Sequence, residues 1–241
     1  INQLQTELTD AKSEKEEVEE LLADAERECD SRKQEVEQLT LAAAEKLRAR
    51  GIKAFVIACN TATAAAVEAL RAKYPDFIIV GIEPAVKLAV DRHPGGHIGV
   101  MATPGTLKSP RVLALIDRFR DQVTVEMLPA PGLADLVEAN KQNAPEGEAL
   151  LTGFLAPYVG KLDALVLGCT HYPFLKSVIR NVVGERGVQI IDSGEAVEKR
   201  VESLLDKYDI RASEENDAQY EFLTFADDDY RERLRRKAFG E

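Results

Sequence analysis

Between residues 54 and 191 short apolar runs alternate with amphipathic stretches, and this alternation restricts the chain to very few architectures. Strands are expected at Ala54–Ala58, Ile78–Gly81, Ile98–Met101, Val123–Leu128, Ala164–Leu167 and Val188–Ile191. Helical spacing fills the intervals at Thr63–Lys73, Pro84–Arg92, Pro110–Arg120, Leu133–Asn140, Glu146–Val159 and Phe174–Val183. Runs apolar throughout, each followed by a helix, predict parallel strands buried on both faces, so the fold class is α/β. Two further helices are expected at Gly194–Tyr208 and Asp227–Phe239, with a short strand at Tyr220–Thr224 between them. Ala54 to Cys59 is among the longest apolar runs and is far too short to span a bilayer.

The first fifty residues differ in kind. They hold no Gly, Pro or aromatic residue, so nothing in them breaks a helix. Steps of four and three from Leu4 reach Leu8, Ala11, Lys15, Val18, Leu22, Ala25, Cys29, Arg32, Val36, Leu39 and Ala43. Only Lys15 and Arg32 on this seam are charged, which predicts a helical heptad segment over residues 1–40, a coiled coil pairing with a second copy. For its second half the competing expectation is a solvated helix lying against the globular part.

Charge excludes other classes. The 241 residues carry 31 basic and 42 acidic side chains, a formal charge of −11, so phosphate backbones and anionic membranes are disfavoured. Residues 1–20 hold seven acids where a secretory signal needs a basic start and an apolar run. Three cysteines suit no secreted disulfide framework, and a cytoplasmic protein is expected.

An internal repeat places two of those cysteines. Lys53-Ala-Phe-Val-Ile-Ala-Cys59-Asn-Thr61 aligns with Asp163-Ala-Leu-Val-Leu-Gly-Cys169-Thr-His171, strand on strand and Cys on Cys. Ligands of parallel sheets bind beyond the carboxyl ends of the strands, where both thiols fall. A helix start after each would favour thiolate. A disulfide needs Cα atoms closer than two separate strand ends usually come. Zinc needs about four clustered ligands, and His171 is the only His near a Cys. A single nucleophile leaves one site idle. Two thiols facing one carbon from opposite sides, as base and acid of a stereoinversion, explain the symmetry best; the alternative is ordinary buried cysteine. His93 and His97, either side of Pro94-Gly95-Gly96, read as exposed hinge residues, and Asp192-Ser193-Gly194 as a turn and helix cap.

Ala58-Cys-Asn-Thr-Ala-Thr63, Gly81-Ile-Glu-Pro-Ala85, Met101-Ala-Thr-Pro-Gly-Thr106, Leu167-Gly-Cys-Thr-His-Tyr-Pro173 and Ile191-Asp-Ser-Gly194 together resemble the glutamate racemases of the aspartate/glutamate racemase superfamily. The resemblance runs from about Leu41 to the carboxyl end. It implies two similar α/β domains with the active site between them, one lobe of 41–92 with 187–241 and another of 93–186. It also implies cofactor-independent interconversion of L- and D-glutamate for peptidoglycan and cell-wall synthesis, without a metal, in a cytoplasmic homodimer. By position, Cys59 and Cys169 become the two acid/base residues and His171 the assistant of Cys169. Asn60, Thr61, Thr103, Thr106 and Thr170 would hold the substrate, with Glu138 near its amino group. A turn or cap role competes for the threonines, and a solvated helix residue for Glu138.

The sequence departs from this family at its start. Fifty residues without Gly or Pro cannot contain the family's first Asp-Ser-Gly-x-Gly-Gly turn, which supplies the acid assisting the first Cys, nor its Pro-Tyr-Gly loop. Turnover that is weak or one-sided is therefore expected of the chain acting alone. The other expectations are an aspartate or other amino-acid racemase of the same superfamily, and a non-catalytic coiled-coil assembly protein carrying a racemase-like domain.

Overall fold

The structure, a computed structural model, describes residues 27–184, 188–213 and 217–239. The first half of the heptad segment therefore lies outside the described residues. From 27 to 48 the chain is one helix, α1. Residues 27–35 are exposed, whereas Leu41 and Ala44 near its carboxyl end pack against the body, so only the last turns of α1 lie on the globular part.

Two parallel sheets follow within the compact unit that ends at Leu204. The smaller pairs β1 (Ala54–Ile57) with β2 (Ile78–Gly81), joined by α2 (Asn60–Lys73). After α3 (Val86–Arg92), the larger is built from β3 (His97–Ala102), β4 (Thr124–Pro129), β5 (Ala164–Leu167) and β6 (Gln189–Ile191), in the order β4-β3-β5-β6. Its connections carry α4 (Pro104–Leu107), α5 (Pro110–Asp117), α6 (Leu133–Glu138), α7 (Pro145–Leu155) and α8 (Lys176–Val183). Pleating sorts the core. Ile98, Val100, Ala102, Ala164 and Val166 face Val86, Ala89 and Leu115, while Met101, Leu165 and Leu167 face Leu133, Leu151, Leu155 and Ile179. Every residue of β5 is buried, as expected of a central parallel strand.

Several expectations are corrected. β6 runs beside β5, with Ala164, Leu165 and Val166 opposite Gln189, Ile190 and Ile191, so residues 189–191 complete the larger sheet instead of returning to the lobe of 41–92. Leu205–Glu241 separates as a compact unit of its own. Tyr220–Thr224 is not a strand, because no described strand pairs with it. Pro157 ends the helix expected over Glu146–Val159 at Leu155, and a 3-10 turn, Ala156–Tyr158, takes over. His97 opens β3, where its N–H donates to Asp163 Oδ2 at 2.7 Å, and His93 Nε2 meets Gln189 Oε1 at 2.8 Å; neither is a free hinge residue.

α9 (Gly194–Lys207) starts where Asp192 Oδ1 accepts the Gly194 N–H, the cap read from the sequence. In the carboxyl-terminal unit, Asp227 Oδ1 accepts the Tyr230 N–H at the start of α10 (Asp228–Phe239), and Tyr220 and Phe222 set ring edges against Phe239. Among the described residues no helix is long and apolar enough to cross a membrane.

Candidate active site

Cys59 follows β1 and is the N-cap of α2, with extended backbone and no side-chain cap bond. One turn on, Thr63 is fully buried; its Oγ1 donates to Ile57 O and accepts from Ile82 N–H, each at 3.1 Å, locking the first turn of α2 to the ends of both small strands. The thiol thus sits at the positive end of a helix held in place by its own strand. Cys59 is a free thiol, partly buried.

Asn60 is 94% buried, since only 6% of its surface is exposed, and its Nδ2 donates 2.9 Å to the carbonyl of Gly168, immediately before the second thiol. Its Oδ1 has no partner among the described residues, an acceptor left for a ligand N–H or a water. Gly168 cannot be larger: a Cβ there would come within 2.8 Å of Ala102 Cβ. Thr103 Oγ1 donates to Thr106 Oγ1, and Thr106 Oγ1 lies 3.0 Å from Thr61 Oγ1. This chain of hydroxyls joins the end of β3 to the start of α2 and can hand its last proton outward from Thr61.

The sequence of the repeat suggests a helix directly after each Cys, but only Cys59 has one. Cys169 is followed by a 3-10 turn, Tyr172–Leu175, before α8. Pro173 in that turn interrupts the α pattern. The turn brings His171 back on its neighbour, Nδ1 lying 3.6 Å from Cys169 Sγ, while Nε2 lies 2.5 Å from Glu138 Oε1 at the end of α6. With Glu138 holding the Nε2 proton, Nδ1 can accept from the thiol or, as imidazolium, donate to the thiolate. Burial pushes the Cys169 thiol up; backbone N–H groups of His171 and Tyr172 oppose this, and charge on Cys59 adds to it.

A cavity of about 210 Å³ opens between the two sheets, lined by Asn60 and Ile82 on one side, Cys169, Thr170 and Pro173 on the other, and Asp192 and Ser193 along the start of α9. Partial burial works to raise the Asp192 carboxyl, but hydrogen bonds from Lys176 and the Gly194 N–H outweigh it and hold it below the usual range. Ser193 Oγ donates 2.7 Å to Glu83 O. The sequence showed Asp192 and Ser193 only as a cap; their place at the cavity follows from β6 entering the larger sheet. Of the nine residues singled out from the sequence, Asn60 and Cys169 line this cavity, and seven fall in three bonded groups: Asn60 with the Cys169 segment, Thr61 with Thr103 and Thr106, and Cys169 with His171 and Glu138; Cys59, at the start of α2, belongs to none of these groups and is not among the lining residues. Thr170 joins them at the cavity wall. No three His, Cys, Asp or Glu side chains among the described residues are grouped to hold a metal ion.

Residues 5–200 match the Asp/Glu/Hydantoin racemase family. The glutamate racemase of Ectopseudomonas mendocina is 47% identical over 171 residues, which cover 70% of this chain and 65% of that one. The chain thus spans less than two thirds of that relative's length. Among solved structures, glutamate racemase RacE1 of Bacillus anthracis superposes with a TM-score of 0.76 at 29% identity, covering 87% of this chain and 78% of that one. Escherichia coli glutamate racemase, solved with L-glutamate and the activator UDP-MurNAc-ala, gives 0.66 at 32% identity, covering 72% and 66%.

Proposed function

Because the chain belongs to the Asp/Glu/Hydantoin racemase family, we propose that it interconverts L- and D-glutamate through Cys59 and Cys169, one thiolate taking the α-proton and the other thiol returning one to the opposite face. The observation that carries this reading is the pair of thiols at equivalent strand ends, with Asn60, next to Cys59, bonded through its amide to the Gly168 carbonyl next to Cys169. Each half-reaction balances: the C–H bond breaks as an S–H bond forms, then the second S–H breaks as the new C–H forms, and the thiols end with exchanged protonation. Thr61, Thr103, Thr106, Thr170 and Asn60 present the donors that a substrate carboxylate needs while charge develops on the α-carbon. His171 and Glu138 support Cys169, and no metal or organic cofactor enters the reading. Its setting would be a cytoplasmic homodimer supplying D-glutamate for peptidoglycan, the heptad seam providing the association surface.

Exchange of the glutamate α-proton in heavy water, with racemisation followed by circular dichroism, tests the proposal. Loss of racemisation in both Cys59→Ser and Cys169→Ser is expected; full racemisation by either variant overturns it. Enantiomers have equal free energy, so kcat/KM must match in the two directions, and the one-sidedness expected from an unassisted Cys59 shows in kcat alone. A panel of amino acids that includes aspartate tests the choice of substrate.

A further inference from the structure

Tyr172 takes no part in the chemistry proposed above, yet no side chain in the Cys169 turn is better buried. It is fully enclosed, and its phenol donates 2.9 Å to the carbonyl of Ala130, 42 residues away. Ala130 stands just beyond β4, and its own N–H is fixed to Ala102 O at the end of β3. Two residues later Gly132, with φ of +79°, starts α6, whose last residue is Glu138. The segment 130–138 and the segment 169–175 therefore meet twice: through Tyr172 and Ala130 at one end, and through His171 and Glu138 at the other. Only the first junction is buried; the side chains of His171 and Glu138 are 31% and 36% exposed. An exposed pair of this kind loses much of its attraction to side-chain entropy and solvent screening, so its short geometry needs support from the backbones that carry it.

We propose that Tyr172 is a positioning residue, its phenol tethering the Cys169 turn to the base of α6 so that Glu138 meets His171 and His171 meets Cys169. The inference rests on the two-thiol reading for its catalytic consequence but not for its structural one. Burial raises the phenol well above its ordinary range, so it stays a donor across any pH at which the enzyme is assayed. No proton leaves or enters through it. Its effect reaches Cys169 through the turn it anchors, which carries the His171 imidazole and the backbone N–H groups of His171 and Tyr172.

Tyr172→Phe in the full chain keeps the ring and removes the tether. At pH 7.5, alkylation of Cys169 by iodoacetamide, read by mass spectrometry, is expected to slow about tenfold and its pH midpoint to rise, the size of effect that one lost buried hydrogen bond can transmit. Cys59, on the other sheet, serves as the internal reference and is expected to react as in the parent. kcat for glutamate should fall by a similar factor, with KM changed less than twofold. In a His171→Asn background the same Tyr172→Phe change should have a much smaller effect on Cys169, because the route through the imidazole is already cut. Should Tyr172→Phe not fold, Gly132→Ala strains the left-handed start of α6 and is expected to give the same Cys169 profile. An unchanged Cys169 profile, an equal change at both thiols, or a full additive effect in the His171→Asn background overturns the tether. If the parent chain does not racemise glutamate and the Cys169 profile still shifts, the proposed reaction fails and the tether stands.

Discussion

At the residue scale, the two thiols are alike in sequence and unlike in surroundings. Cys169 is the one pushed up by burial, so its alkylation should demand a more alkaline solution than the ordinary thiol near pH ~8.5. Because its folded pKa lies above its unfolded one, the associated stability is present below pH ~8.5 and lost as pH rises through the folded value. A Cys169→Ala variant should therefore lose less stability than the parent between pH 8 and 10, as measured by urea midpoints. Thr106 is a second test. It is 2% exposed and its hydroxyl is bonded to two others, so Thr106→Val strands Thr61 and Thr103 in a half-buried site. A cost of about 1–3 kcal/mol is expected, with KM for glutamate raised because the Thr61 hydroxyl loses the partner that orients it. The places of the candidate residues were legible one by one, since Cys59, Asn60 and Cys169, Thr170, His171 fall at strand ends that periodicity alone locates. The link between His171 and Glu138 was not legible. It joins residues 33 apart through the path of β4 and the tilt of a six-residue helix, and neither leaves a mark in local composition.

At the element scale, the strands formed where the apolar runs stood, because burial on both faces leaves little choice. The ends of elements were less predictable. Proline decides two of them, at Pro157 and Pro173, and the repeat between the Cys segments hides the difference, since a matching strand says nothing about whether the next turn is α or 3-10. Membership of a sheet was also concealed: β6 is three residues long and apolar enough for either sheet, and only its ladder with β5 assigns it. That placement sets Asp192 beside Lys176 at the start of α8, an ion pair joining α8 to α9. The folded Asp192 carboxyl titrates below its unfolded value near ~3.9, so the pair stabilises above that pH and is lost as pH falls through the lower, folded value. Asp192→Asn should thus reduce stability at pH 7 by up to about 1 kcal/mol, given its partial exposure, and the difference should vanish in acid; denaturant midpoints at pH 7 and pH 2.5 check both halves.

For the whole molecule, the two sheets that bear the two thiols differ greatly in strength. The larger has four strands with apolar layers on both faces; the smaller has two strands over a cluster of Ala44, Ile57, Ala66, Val67 and Leu70. A two-stranded sheet is barely stable by itself and depends on the helices laid across it, here α1 and α2. Among the described residues, polar attachments between this part and the larger sheet include Asn60 to Gly168, Thr61 to Thr106, Arg111 to Glu83 at 2.7 Å and to Glu68 at 3.5 Å, and Ser193 to Glu83 O. Two of these, through Asn60 and Ser193, involve residues that line the cavity, so a ligand bound there bridges the weaker part to the stronger. Sub-global opening is then expected to release β1 and α2 while β3 and β5 stay folded, which would separate Cys59 from Cys169 without unfolding the chain. In native-state hydrogen exchange the amides of Ala54–Ile57 should exchange at least about a hundredfold faster than those of Ile98–Met101, and saturating glutamate should slow the first set alone. Equal protection of both sets without ligand would mean that the small sheet draws its stability from the whole, and that β1 and α2 do not open ahead of β3 and β5.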